Sequence, residues 1–224
     1  MRFFLFLISF SILADTSNYI EKTKDKYNQL AMDLWSYAEM GYLETKSAEA
    51  IKSILKDEGF TIKDQIANIP TAFMAEYGTE GPVIGILAEF DALPGLSQSN
   101  NPYRESLGGD AGHACGHHLF GAGSVHAAVA IKEVLKTNKL KGKIRLYGTP
   151  AEEGGSGKVY IARDGYFDDV DVILHWHPDD SNRAHYSSSN GNKSARFKFK
   201  GISAHAAGSP QNGRSALDGV EAMN

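Results

Sequence analysis

The chain has 224 residues, of which 42% are hydrophobic and 22% are charged, and its formal net charge is −4. This composition is typical of a globular protein with a sizeable core. The mild acidity and the lack of a basic run argue against a nucleic-acid partner.

The N-terminal segment Met1–Ala14 stands apart from the rest of the chain. Arg2 is followed by the short apolar run FFLFLISFSIL and then by the small residue Ala14. This pattern predicts a signal peptide, since the run is too short to span a bilayer. If it is used, the protein is secreted or periplasmic and has no membrane association after removal. Otherwise the segment is an apolar anchor or a misassigned start, and the protein is cytoplasmic.

Two helices are predicted next. Asn18 and Glu21 fit a capping pair at the start of a helix that runs to about Met40. A second helix is expected over Thr45–Glu58, because apolar residues recur there at helical spacing and Gly59 follows as a stop.

Strands then alternate with further helices. Helices are expected from His117 to Lys136 and over Val159–Asp164. The predicted strands are Phe60–Ile66, Thr71–Tyr77, Pro82–Phe90, Lys143–Thr149 and Val170–Leu174. This order predicts an α/β fold, with a mainly parallel sheet covered by helices on both faces.

The character of the chain changes after Asp179, where a polar stretch begins. We place a domain boundary near Asn192, which divides the chain after the signal peptide into residues 15–192 and 193–224. In the second part, Ala195–Lys200 alternates like a half-exposed strand. A helix is expected from about Arg214.

A thiol and three imidazoles are concentrated in the segment GHACGHH, residues 112–118. Cys115 is the single cysteine, so no internal disulfide forms, and either metal ligation or burial protects its thiol. Cys115 and His117 can converge on one ion across a turn that enters a helix, where the helix N-terminus favours the thiolate. His113 and His118 are assigned supporting or structural roles.

Carboxylates and further imidazoles follow three predicted strands. Glu152 and Glu153 are adjacent, and a cation between them would relieve their repulsion. One can then bind a metal while the other takes a proton from water. His175 and His177 follow the last strand, and either can be a ligand. Asp91 is either an acidic site residue at a strand end or a turn former.

These segments together resemble a known family. HACGHH, TPAEEGGSGK, LHWHP and AHAAGSPQNGRSALDGVE are similar to motifs of the aminoacylase/carboxypeptidase-type di-metal peptidases, in the branch of the hippurate and auxin-conjugate amidohydrolases. The resemblance implies a catalytic α/β domain and a small α+β lid that forms a homodimer. It also implies two divalent metal ions, zinc or manganese.

The resemblance also implies roles for individual residues. It makes Glu152 the general base and places Asp91 near the site with its exact role open. It makes His205 a lid residue that holds the scissile carbonyl, and it places Arg214 near a substrate carboxylate. The implied metal ligands are Cys115, His117, Glu153 and His175.

The implied reaction is hydrolysis of an N-acyl or aryl-amide bond to an amino acid, as in a p-aminobenzoyl-glutamate-like substrate. A dipeptidase of the same family shares this chemistry and remains an alternative. Two departures from the family pattern are visible. Many relatives have Asp where this chain has His118, and the chain ends before a further histidine ligand that the family supplies. A catalytically inactive, truncated product is therefore a third possibility.

Overall fold

The computed structural model describes residues 2–184, 188 and 190–224, with side chains from residue 16 onward. The helices are α1 (Arg2–Tyr37), α2 (Thr45–Asp57), α3 (His117–Thr137), α4 (Glu152–Gly155), α5 (Gly157–Arg163) and α6 (Ala216–Met223). The strands are β1 (Thr61–Asp64), β2 (Phe73–Gly78), β3 (Val83–Ala88), β4 (Leu93–Pro94), β5 (Ala111–Gly112), β6 (Lys143–Gly148) and β7 (Val172–Leu174). Helices and strands alternate through the first part of the chain, which confirms the α/β class.

A five-stranded sheet with the order β1-β2-β6-β3-β7 forms the centre of the fold. β3 pairs in parallel with both β6 and β7, whereas β2 pairs antiparallel with both β1 and β6. Four strands therefore point the same way and β2 alone is reversed, so the sheet is mainly parallel. The C-terminal ends of β3, β6 and β7 lie side by side at one edge, where open α/β sheets place their sites.

Side chains from alternate strand positions enter two separate cores. Ile86, Ile144 and Leu146 pack on the face covered by α1, α2 and α3. Leu87 and Tyr147 point to the other face and pack against Ile161 of α5 and the short turn at residues 66–69. The alternation follows from the period of two in a strand, and it confirms that both faces of the sheet are covered.

Helix α1 departs from its predicted start. It runs without a break from Arg2 to Tyr37, so Asn18 lies inside the helix and the predicted cap at Asn18 and Glu21 is wrong. The chain between Arg2 and Asn18 contains no glycine or proline, and the helical hydrogen bonds can therefore continue through it. The predicted signal peptide lies outside the described part of the chain, because it covers Met1 and residues whose side chains are not described. It stays a prediction. None of the described helices combines the length and apolar character needed to cross a membrane.

The chain divides into two compact units, and the boundary falls between Asp180 and Ser181. The boundary that we predicted at Asn192 lies inside the second unit, and the assignment of a lid domain stays a prediction. The strand predicted over Ala195–Lys200 does not form, because within the described residues it has no paired neighbour. A single antiparallel bridge joins Ile202 and Arg214 instead. Helix α6 follows, capped by the Ser215 hydroxyl, which accepts from the Asp218 N–H.

Candidate metal centre

The turn that enters α3 brings Cys115 and His117 to the C-terminal edge of the sheet. Gly116 stands between them with φ +86°, in the left-handed region where a side chain is strained, and an added Cβ would lie 2.9 Å from the Pro178 side chain. The turn lets α3 begin at His117, whose side chain is fully buried. The side chains of Cys115 and His117, two residues apart, therefore converge through a glycine turn, as the sequence predicted.

Asp91, three residues beyond β3, holds two parts of the site together. Its Oδ1 lies 2.9 Å from Nδ1 of His117, and its Oδ2 accepts from the backbone N–H of Glu153 at 2.8 Å. A carboxylate oxygen only accepts, so His117 carries a hydrogen on Nδ1, and its Nε2 is the nitrogen that could bind a cation in place of a second proton. This is the arrangement by which carboxylates orient metal-binding histidines.

The loop after β6 carries Glu152 and Glu153 and is held in place by residues that precede α2. Ala151 has φ +56°, a costly conformation for a residue with a side chain. The buried Glu44 compensates, because its Oε1 accepts the Ala151 N–H at 2.8 Å. The Tyr42 hydroxyl donates to the Gly155 carbonyl oxygen at 2.5 Å. The loop preceding α2 therefore sets the position of the carboxylate pair.

Two groups of potential ligand atoms share His117. Cys115, His117 and His177 form one group, and Glu89, His117 and Glu152 form the other, and the donor atoms within each group lie within 4.8 Å of one another. In the first group, the Cys115 Sγ is 3.5 Å from Nε2 of His177. In the second, Nε2 of His117 is 3.0 Å from Oε2 of Glu89 and 4.0 Å from Oε2 of Glu152. Sulfur, nitrogen and oxygen donors in this number suit a divalent transition metal.

Buried polar atoms without partners show that the centre fits a cation. Nε2 of His117, Oε2 of Glu89 and Oε1 of Glu153 are all buried, and none forms a hydrogen bond. Leaving a buried donor or acceptor unpaired costs about 1–3 kcal/mol, so three together require compensation. A divalent cation accepts lone pairs from all three atom types. The donor set therefore fits a divalent metal ion.

The carboxylates around Cys115 also favour a cation. Burial and the neighbouring Glu153 carboxylate raise the pKa of the Cys115 thiol to about 12, with further contributions from Glu152 and Glu89. Any lowering of the thiol pKa by the helix N-terminus is therefore outweighed by burial and by the nearby carboxylates. Burial, Glu89 and Glu153 likewise raise the pKa of Glu152. A cation would lower both pKa values.

Most of the predicted site residues lie in or next to the metal-binding groups. Cys115, His117 and Glu152 lie in the two groups, Asp91 contacts His117, and the Glu153 carboxylate is close enough to raise the pKa of the Cys115 thiol. Of the two histidines after β7, His177 joins the group with Cys115, whereas Nε2 of His175 lies 3.5 Å from Oε1 of Glu89.

His205 and Arg214 belong to the second unit. His205 Nδ1 accepts from the backbone N–H groups of Ala207 and Gly208, and Arg214 is exposed. Their predicted roles toward a substrate stay predictions.

Sequence analysis missed Glu89, and His118 is a position at which the chain departs from the family pattern. Glu89 was missed, although a glutamate inside the apolar run PVIGILAEF is itself a signal, because a buried charge needs a partner. His118 packs its ring 5.0 Å from that of His113, whose Nε2 donates to the Leu34 carbonyl oxygen. The two rings therefore support the turn at the start of α3 from its far side.

Comparisons with known proteins identify the family of this chain. Residues 85–205 match the model described as Peptidase family M20/M25/M40. One subunit of the p-aminobenzoyl-glutamate hydrolase of Escherichia coli is 44% identical over 91% of this chain and 43% of its own length. The mouse Xaa-Arg dipeptidase is 29% identical over 89% of this chain and 45% of its own length. The chain thus spans less than half the length of these curated relatives.

A solved structure gives the same result for the fold. The dinuclear metal-binding M20 peptidase of Bacillus subtilis superposes with a TM-score of 0.62 at 28% identity, over 71% of this chain and 44% of its own.

Proposed function

This chain belongs to peptidase family M20/M25/M40, and on that premise we propose that it forms the metal-binding part of an amidohydrolase. The proposed reaction is hydrolysis of an N-acyl or aryl-amide bond to an amino acid. The observation that carries the proposal is the buried Nε2 of His117, which has no hydrogen-bond partner and lies 4.0 Å from the Glu152 carboxylate. A metal ligand and a candidate base therefore lie side by side.

Cys115, His117 and His177 would hold one divalent cation, and Glu153 beside the thiol would hold a second or share the first. When bound, such cations polarise the substrate carbonyl and lower the pKa of an attacking water. Zinc is favoured over manganese because a thiolate is a soft ligand. Asp91 holds a hydrogen of His117 on Nδ1, so Nε2 is the ring nitrogen that would bind a cation.

Glu152 is the proposed general base. Its side chain is partly exposed, and its Oε2 lies 4.0 Å from Nε2 of His117, so it is placed to take a proton from a water molecule beside that nitrogen. It takes one proton from water while the water oxygen bonds to the carbonyl carbon. As the C–N bond breaks, Glu152 returns that proton to the amine nitrogen. The products are a carboxylic acid and a free amine, so atoms and charge balance.

The test is the variant Glu152→Gln. We expect it to bind as much metal as the unaltered chain, measured by elemental analysis, and to hydrolyse p-aminobenzoyl-glutamate about 10²–10⁴-fold more slowly. Glu80→Gln, which affects only an exposed pair with Lys141, is the matched control and retains full activity. Unchanged turnover in Glu152→Gln would exclude the proposed role.

A second substrate class follows from the mouse relative, whose name is Xaa-Arg dipeptidase. Dipeptides and N-acyl amino acids share an amide bond next to a carboxylate, so the same metal centre serves both. A panel that contains both classes decides between them. Stoichiometric metal without activity on either class would instead support a binding role, and absence of metal would support an inactive product.

We also propose that the whole protein is a homodimer formed through residues 193–224. Large apolar side chains are exposed in this segment, among them Phe197 (65% of its surface), Ile202 (51%) and Leu217 (64%). Exposed apolar groups of this kind are typical of interfaces. Sedimentation of the purified protein should give twice the mass of one chain, and Leu217→Lys should shift it to the monomer.

A further inference from the structure

Glu89 is a buried carboxylate just beyond β3, with only 2% of its surface exposed. Its two oxygens have different surroundings. Oε1 forms an ion pair with the Lys158 ammonium and lies 3.5 Å from Nε2 of His175. Oε2 lies 3.0 Å from Nε2 of His117 and has no hydrogen-bond partner. Lys158 therefore holds one oxygen and leaves the other directed at the metal cluster.

The contact between Oε2 of Glu89 and Nε2 of His117 is unfavourable without a positive charge. His117 keeps its hydrogen on Nδ1, where Asp91 accepts it. In the neutral ring, Nε2 then presents a lone pair to a carboxylate lone pair, and both atoms are buried. Either a proton or a metal ion on Nε2 removes the conflict.

We propose that Glu89 is a ligand of the cation held by His117. The donor atoms of Glu89, His117 and Glu152 lie within 4.8 Å of one another, which is the spread that one ion can span. Lys158 is the positioning residue, since its ion pair fixes the carboxylate in the orientation that exposes Oε2. This inference rests on the proposed function, because it takes a metal centre at His117 as its starting point.

The experiment uses the full chain, stripped of metal and reloaded with Co²⁺. Cobalt(II) gives an absorption band from charge transfer with a thiolate and separate d–d bands that report the number and type of ligands. In Glu89→Gln we expect the Cys115 charge-transfer band to persist and the d–d bands to change. We also expect Co²⁺ affinity to fall by at least about 10-fold.

Further variants separate ligation from a role in ion pairing alone. Glu89→Asp keeps a carboxylate and should restore part of the affinity and the d–d bands. Lys158→Met removes the ion pair but not the ligand, so it should retain more Co²⁺ affinity than Glu89→Gln. Glu76→Gln, which weakens an ion pair with Arg145 on β6 away from the cluster, is the matched control and should leave the spectrum unchanged. Circular dichroism checks that each variant is folded.

The outcomes distinguish this inference from the proposed function. If the unaltered chain binds no Co²⁺, the metal centre itself is wrong. If the unaltered chain binds Co²⁺ and folded Glu89→Gln binds it with the same affinity and the same d–d bands, Glu89 only pairs with Lys158 and the inference is overturned. In that second case the proposed function stands.

Discussion

At the scale of single residues, Glu44 shows how a buried carboxylate supports the site without belonging to it. It is fully buried and accepts two hydrogen bonds, one from the Ala151 N–H and one from the Thr71 hydroxyl at 2.8 Å. Burial raises its pKa above the ordinary value of 4.5 despite these bonds. Glu44 therefore fixes the position of the loop that carries Glu152. The burial of its charge lowers the stability of the protein at neutral pH.

Two substitutions of Glu44 should have opposite effects on stability. Glu44→Ala leaves the Ala151 N–H and the Thr71 hydroxyl unpaired and should lower the free energy of unfolding by about 1–3 kcal/mol. Glu44→Gln keeps both contacts, because the amide accepts from Ala151 and donates to the Thr71 oxygen. It also removes the cost of burying a charge, so it should be at least as stable as the unaltered chain at pH 7.

The pH dependence gives the sign of this effect. A carboxyl with a raised pKa binds its proton more tightly in the folded state, so its contribution is fully present below about pH 4.5 and is lost as pH rises through the folded pKa. The stability advantage of Glu44→Gln should therefore grow between pH 4.5 and pH 7. Urea unfolding across this range measures it, and a constant difference would contradict the assigned pKa direction.

Sequence reasoning located the ligand types but not every partner. Cys115, His117 and the glutamate pair could be read from local spacing, because each lies in a short motif at a strand end or helix start. Glu89 could not be read in this way, since its partners His117, His175 and Lys158 are distant in the chain. The choice between His175 and His177 also depended on the path of the chain after β7.

At the scale of elements, the spacing of apolar residues predicted the helices and strands that pack against the core. Helices α2 and α3 and strands β3 and β6 have one buried face or two, and their apolar patterns record it. The alternation in Ala195–Lys200 did not produce a strand, because alternation supplies no hydrogen-bond partner. The reversed direction of β2 was equally invisible, since strand direction depends on connections and not on composition.

Helix α3 packs closely against the end of β3, and this contact places His117 beside Asp91. The Ser124 hydroxyl donates to the Leu87 carbonyl oxygen at 2.7 Å, and Gly121 lies next to the Glu89 carbonyl. A Cβ at Gly121 would lie 2.9 Å from that carbonyl oxygen and 3.3 Å from Cδ1 of Leu34. The glycine therefore sets the distance between the helix and the strand.

Gly121→Ala should destabilise the protein although alanine is the better helix former. Helix propensity alone would favour alanine by about 1 kcal/mol. The clash with backbone should outweigh this and lower the free energy of unfolding by about 1–3 kcal/mol. Urea unfolding is the measurement, and Ala127→Gly, on a half-buried part of the same helix, is the control that isolates propensity. A stabilised Gly121→Ala would mean that α3 can move away from β3.

At the scale of the whole molecule, every candidate ligand found among the described residues lies in the first unit. The ligands extend from Glu89 to His177, and this unit ends at Asp180. The second unit contributes His205 and Arg214 through their proposed roles toward the substrate. None of its described residues is buried, so in this structure it lacks a core of its own. On the proposed roles, metal binding would belong to the first unit, and His205 and Arg214 of the second unit would contact the substrate.

This division predicts separate effects for His205→Ala. Metal content and Co²⁺ affinity should match the unaltered chain, because no candidate ligand is altered. If His205 donates a hydrogen bond to the scissile carbonyl as that oxygen gains charge, hydrolysis of p-aminobenzoyl-glutamate should slow by about 10²–10³-fold, mainly in kcat. Cys115→Ala is the contrasting variant, since it should lose metal as well as activity. Loss of metal in His205→Ala would show that the second unit completes the metal centre, and the assignment of all ligands to the first unit would then be wrong.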